Sequence, residues 1–212
     1  MIPEQVALTE LERDALTEIV NIGVSRAASN LRKMIGDQVF LSVPSIDVVS
    51  QQRAARLITE REVGELVAVR QDFTGAFDGR ALLIFPESNS LDLVRAVTGN
   101  ALSSEEVVEI EQEALAETGN IILNSCLATM ANMLKGPLSM SLPLVVRGSG
   151  ASLFEVEEHG TAEGLVLFLY IDFAVRSRDI RGYIAMIMDL PSLATLKSLL
   201  EDFIVHIIGD DA

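Results

Sequence analysis

The feature that most constrains this chain is a repeat. Displaced by 99 residues, positions 9–48 lie over 108–147 without a gap, and ten of the forty pairs are identical. Chance would supply roughly two or three for this composition. The matches are Glu10/Glu109, Glu12/Glu111, Ala15/Ala114, Leu16/Leu115, Glu18/Glu117, Asn21/Asn120, Ile22/Ile121, Met34/Met133, Ser42/Ser141 and Pro44/Pro143. The 212 residues therefore read as one domain made of two diverged copies, about 1–100 and 101–212.

Local patterns in the two halves agree. A helix is predicted from Thr9 to about Ile35, with Glu12 at capping-box spacing and Gly36-Asp37 as its stop; a second runs from Ser103 or Ser104 to Lys135-Gly136-Pro137. Each is followed by an alternating run, 39–50 and 138–147, broken by a proline. Proline cannot donate to a central ladder, so these strands belong at a sheet edge or bulge. Strands are then predicted over 64–73 and 79–85, and over 164–173 and 182–188, with helices at about 88–97 and 191–205. Residues 148–150 read as a loop. The prediction is an α+β fold in which a pseudo-twofold duplicated helix-strand repeat forms one shared β-sheet flanked by helices, the two long helices carrying the sites.

At 100° per residue, Asp14, Glu18, Asn21, Ser25 and Arg32 fall within about 60° of arc on the first long helix. The rest of the helix is mostly apolar and expected to be buried. Glu113, Glu117, Asn120 and Asn124 occupy the same angles on the second. A solvated face requires polarity, not the same Glu and Asn at the same spacing twice, with Pro44 and Pro143 each 23 residues after the Asn. Asparagine is a mediocre helix former, so two mid-helix copies need a reason. A fixed carboxamide can donate to one group and accept from a water, orienting it as a nucleophile, and a carboxylate one turn away can bind a cation on a partner.

Composition narrows the classes. Sixteen basic against thirty-one acidic side chains leave −15, which disfavours nucleic acid and anionic membrane surfaces as partners. The charge divides unevenly, −4 over 1–100 and −11 over 101–212. The lone Cys126 excludes an internal disulfide and reads as a buried thiol; His159 and His206 lack zinc-motif spacing. The N-terminus has no signal-peptide pattern, and the longest uncharged stretch, 118–134, carries three asparagines and is a poor membrane span. A cytoplasmic location is expected. Met130, Met133, Met186 and Met188 read as core, Gly23 as a site of close helix packing, 155–160 as a solvated turn, and Asp210-Asp211 as a frayed tail.

The order Asp14, Glu18, Asn21 and Pro44, within Glu18-Ile19-Val20-Asn21-Ile22-Gly23, resembles the signature of the CheC/CheX/FliY chemotaxis phosphatases. The second copy, Glu113, Glu117, Asn120 and Pro143, matches except that Glu113 stands where the family has Asp or Ser. Two copies resemble CheC; CheX proteins carry one. The resemblance implies hydrolysis of the aspartyl phosphate of the response regulator CheY, with Asn21 and Asn120 positioning water and Glu18 and Glu117 meeting a regulator lysine. It also implies the deamidase CheD as a possible partner. No cofactor of the chain's own is expected, the Mg²⁺ belonging to the response regulator.

Two alternatives stand beside this reading. One is a non-catalytic regulatory module that binds CheD or acts as a flagellar-switch-like interaction protein; the chain's end at Ala212, where switch proteins carry a further domain, counts against the switch. The other is a small-molecule carboxylate enzyme, disfavoured by the lack of a phosphate loop or nucleophile elbow. A concave pocket beside Glu18 would favour it.

Overall fold

The computed structural model describes residues 3, 6–62, 64–98, 103–155, 164–175 and 178–210. The first half runs α1 (Glu10–Ile35), β1 (Val39–Ser42), β2 (Ile46–Ser50), α2 (Gln51–Thr59), β3 (Leu66–Gly75), β4 (Gly79–Pro86) and α3 (Glu87–Thr98). The second runs α4 (Ser104–Met133), β5 (Leu138–Met140), β6 (Leu144–Gly148), α5 (Gly150–Leu153), β7 (Leu165–Val175), β8 (Arg178–Met188) and α6 (Leu190–Asp210).

Both long helices open on capping boxes, the first at the spacing the sequence predicts. Thr9 Oγ1 accepts from Glu12 N–H at 3.3 Å while Glu12 Oε2 accepts from Thr9 N–H at 2.7 Å. Ser103 and Glu106 do the same at 3.3 and 2.8 Å. Gly36, at φ +72°, closes α1 in the left-handed conformation that costs glycine least.

The strands form one antiparallel sheet in the order β1-β7-β8-β4-β3-β5, with β2 also pairing β7 and β6 also pairing β3. Exchanging the two halves leaves this order unchanged. The register follows: Leu41 faces Phe173 as Met140 faces Phe73, and Ile46 faces Leu169 as Val145 faces Val69. The proline-broken runs β1–β2 and β5–β6 lie at the two outer edges, where a missing ladder donor costs least.

Alternate strand residues serve opposite faces. Val67, Val69, Phe73, Leu167, Leu169 and Phe173 join the main core with buried side chains of α1, α3, α4 and α6. Leu66, Ala68, Val166 and Phe168 join a smaller core with Ala54 and Ile58 of α2 and Leu153 of α5. Two close approaches set the helix layer. A Cβ at Gly23 would lie 2.8 Å from Cys126 Cα, so α1 and α4 meet backbone to backbone; one at Gly119 would lie 2.5 Å from the Val69 side chain, so α4 rests directly on β3. Cys126, Met130, Met186 and Met188 are buried and Met133 packs at the margin of the core.

Three expectations change. Residues 148–150 are not simply a loop: Ser149 caps α5, and the equivalent Ser50 caps the unanticipated α2, each through its hydroxyl accepting from an N–H three residues on. These helices bury only a few side chains, too narrow a stripe to stand out in sequence. The exposed side of α1 is broader than a single polar stripe and includes Leu11 and Met34, because its neighbours cover only one side of it. Glu155 does lie in an exposed turn, as expected, where it pairs with Arg80 of β4; 156–160, including His159, lie outside the described residues. Asp210 belongs to α6 rather than to a tail, and Asp211 lies outside the described residues. No helix among the described residues is long and apolar enough to cross a membrane.

Candidate functional site

In the first half, Asp14 and Glu18 stand exposed on successive turns of α1, followed by the half-buried Asn21 and the exposed Ser25. Asn21 reaches the break between β1 and β2. Its Nδ2 donates to Val43 C=O at 3.1 Å and its Oδ1 accepts from Val43 N–H at 2.9 Å. Val43 is 1% exposed and precedes the exposed Pro44. It lies in neither strand, so the carboxamide supplies both hydrogen bonds that its buried peptide groups need. This explains why an asparagine inside a helix and a proline 23 residues later occur together: the amide pins the proline bend to the helix. One Nδ2–H and one Oδ1 lone pair remain for another partner. Arg13 pairs with Asp47 of β2 and ties the helix to the strand beside this bend.

The second half keeps the side chains and changes their bonding. Glu113 and Glu117 are exposed on α4, and Asn120 and Asn124 are half-buried. Asn120 makes no bond to Leu142, the counterpart of Val43, which is 89% exposed. Instead Asn120 Oδ1 accepts from Asn124 Nδ2 at 2.7 Å and from Gln71 Nε2 at 3.2 Å. Gln71 also donates to Ser141 C=O at 2.9 Å, and its Nε2 lies 3.3 Å from Asn124 Oδ1. The bend before Pro143 is held from β3: Ser141 N–H donates to Asp72 C=O at 2.8 Å, and Asp72 N–H donates to Ser141 Oγ at 3.0 Å.

The predicted residues thus gather into two places, each joining a long helix to a proline bend at one sheet edge. Asn21 touches its bend directly, while Asn120 reaches its bend through Gln71. The sequence reading missed Gln71. Its signal was present, since Gln71 shares the inward parity of Val69 and Phe73 on β3, where a polar side chain is unexpected.

The repeated acids Glu12 and Glu111 anchor the helices. Glu12 is nearly buried beside Lys197 Nζ at 3.7 Å. Burial pushes its carboxyl up, but the Thr9 backbone and side-chain hydrogen bonds and the Lys197 charge outweigh it and leave the carboxyl below its ordinary value. Glu111 pairs with Arg147 of β6 at 2.8 Å and accepts from Ser90 Oγ of α3 at 2.7 Å. Burial alone pushes the Cys126 thiol up to about 12, which makes it a packing group and not a nucleophile.

A groove of about 550 Å³ opens at Pro44, lined by Arg61, Glu62, Tyr170, Asp172 and Tyr183 among others, and one of about 270 Å³ lies between the end of α4 and α6. Neither includes Glu18 or Glu117. Among the described residues no group of three or more His, Cys, Asp or Glu side chains is placed to hold a metal ion.

Family models match along the chain: the CheC-like family over residues 11–47, which holds Asp14, Glu18, Asn21 and Pro44, and the chemotaxis phosphatase CheX over 67–168, which holds the second set. Along both stretches the chain is similar to the CheC/CheX/FliY family. It is 28% identical over 163 residues to the flagellar motor switch phosphatase FliY of Bacillus subtilis, covering 76% of this chain and 40% of that one. It therefore spans less than half of that relative's length. The match to the CheY-P phosphatase CheC of the same organism is 26% over 141 residues, covering 65% of this chain and 67% of the relative. The fold is that of Thermotoga maritima FliY, with a TM-score of 0.69 at 18% identity over 92% of this chain and 98% of that one.

Proposed function

We propose that this protein hydrolyses the aspartyl phosphate of a CheY-type receiver domain in the cytoplasm, with Asn21 and Glu18 at the first site. The observation that carries the reading is the Asn21 carboxamide. Both of its polar atoms are held by the Val43 peptide, and each retains one unused hydrogen-bonding position. Such a group is oriented before a partner arrives, which is what water positioning requires. Glu18, exposed one turn earlier, meets a lysine of the receiver, and Asp14 extends the same acidic edge.

In the reaction, the water oxygen forms its bond to phosphorus as the bond from phosphorus to the aspartyl oxygen breaks. The aspartate leaves as a carboxylate, and both of the water's protons end on the released phosphate. Mg²⁺ bound by the receiver would neutralise the phosphoryl oxygens; the present chain supplies geometry and hydrogen bonds. Support for two sites comes from the sequence repeat and from the exchange symmetry of the sheet, which places a Glu-x-x-Asn helix at each edge bend.

The test is the decay of a receiver labelled with acetyl phosphate, followed with wild type, Asn21→Ala, Asn120→Ala and the double variant. The double variant is expected to lose activity; undiminished turnover would refute the mechanism. Glu18→Gln is expected to raise KM more than it lowers kcat, since its contact is made before the transition state. A second reading, a docking module for CheD or for a switch complex, is favoured by the exposed Phe40 on edge strand β1 and Leu142 at the second bend. Capture of CheD by an inactive protein, lost on Phe40→Ser, would support it over the phosphatase.

A further inference from the structure

The two sites differ in which atoms they leave free, and the difference traces to one buried residue. Gln71 is 1% exposed, and its Oε1 has no hydrogen-bond partner among the described residues. A buried unpaired carbonyl oxygen is costly, and the opposite half avoids the cost with Ile171, which occupies the same place between β7 and its edge strands. The cost has a return at Asn120.

The amide orientations around Asn120 follow from one group that cannot be reversed. Ser141 C=O only accepts, so the Gln71 atom 2.9 Å away must be the NH₂ nitrogen. The neighbour 3.2 Å from that nitrogen is then Asn120 Oδ1, and the Asn124 atom 2.7 Å from Asn120 Oδ1 is a donor, Nδ2. Asn120 Oδ1 accepts one full bond from Asn124 Nδ2 and shares the second Gln71 N–H with Asn124 Oδ1, 3.3 Å from the same nitrogen, so both of its lone pairs are engaged, whereas Asn21 Oδ1 accepts one bond. No partner is present on Asn120 Nδ2 among the described residues.

We infer that Gln71, together with Asn124, is a positioning residue that makes the second site donor-only: it can hold an anionic phosphoryl oxygen but cannot accept from a water and orient it. Hydrolysis then falls to Asn21, and the second site docks phosphorylated receiver. This rests on the phosphatase reading for its substrate, while the hold on Asn120 stands on geometry alone. The chemistry of each site is set by the residues beside the asparagine: Ile171 and Ser25 in the first half stand where Gln71 and Asn124 stand in the second.

The experiment uses acetyl-phosphate-labelled CheY receiver and the full chain. Asn21→Ala is expected to lower kcat by about tenfold or more, while Asn120→Ala raises KM several-fold and leaves kcat within about twofold. In the Asn21→Ala background, Asn124→Ser frees one lone pair of Asn120 Oδ1 while Gln71 stays bonded to Ser141, and kcat is expected to recover by about fivefold; Gln71→Ile is expected to act in the same direction. Asn120→Ala lowering kcat as far as Asn21→Ala, or no recovery with Asn124→Ser, would overturn the inference. A separate readout is the ¹³Cγ resonance of Asn120, which reports hydrogen bonding to its oxygen and is expected to shift in both Gln71→Ile and Asn124→Ser. An unmoved resonance overturns the inference whatever the kinetics show. An inactive wild type would refute the phosphatase reading, leaving the resonance to decide the role of Gln71.

Discussion

Replacing Asn21 by alanine should destabilise the protein as well as slow it, and the structure allows the two effects to be separated. The carboxamide is the partner of both the N–H and the C=O of Val43, at 2.9 and 3.1 Å, and Val43 is 1% exposed. Leaving a buried backbone group unpaired costs about 1–3 kcal/mol, so two such groups set a range of about 2–6 kcal/mol. Two effects reduce it. Alanine recovers about 0.7 kcal/mol of helix propensity. Ser42 and Pro44 are exposed, so water reaches the bend once the amide is gone. A net loss of about 2–3 kcal/mol follows. At about 2–4 °C per kcal/mol for a chain of this size, Tm should fall by about 5–10 °C.

Asn120→Ala should cost about 1 kcal/mol, because its bonds join side chains and the bend before Pro143 stays held by Asp72 and Gln71. Urea unfolding followed by circular dichroism gives both numbers. Asn21→Ala within about 0.5 kcal/mol of wild type, or Asn120→Ala as costly as Asn21→Ala, would refute the pinning role assigned to Asn21. Turnover of the Asn21 variant should be measured well below its lowered Tm.

Other perturbations test the frame around the sites. Gly23→Ala places a Cβ 2.8 Å from Cys126 Cα; overpacking of about 1–3 kcal/mol against a propensity gain of about 1 kcal/mol predicts a net loss in urea midpoint, and a stabilised variant would refute the close helix crossing. Cys126 should resist a water-soluble disulfide reagent in the folded state and react on denaturation, since burial pushes its thiol up to about 12; stoichiometric labelling of folded protein would contradict its placement. The Glu12 carboxyl is held below its ordinary value, so its contribution is present above an unfolded pKa of about 4.3 and is lost as pH falls through the lower folded value. Glu12→Gln should therefore flatten the acid limb of stability against pH, and an unchanged slope would remove the assigned role.

Much of the architecture is legible in residues that act on their neighbours. Thr9 with Glu12, Ser103 with Glu106, and Gly36 mark helix ends because capping is settled within one turn. Pro44 and Pro143 mark edge strands because a missing N–H is tolerable only there. Helices α2 and α5 escaped notice because each rests on a serine cap and a few buried side chains. The pairing of Glu18 with Asn21 and of Glu117 with Asn120 was readable because helical periodicity converts spacing into a shared face.

The sequence by itself determined the ends of the two long helices, the proline-broken edge runs and the shared face of each Glu and Asn, since caps and periodicity are local properties of the chain. Only the tertiary structure decided that the two asparagines are bonded differently. Gln71 lies 49 residues from Asn120, and Val43 lies 22 from Asn21. A carboxamide's free donors and acceptors depend on which distant groups folding sets around it, and no spacing along the chain encodes that count.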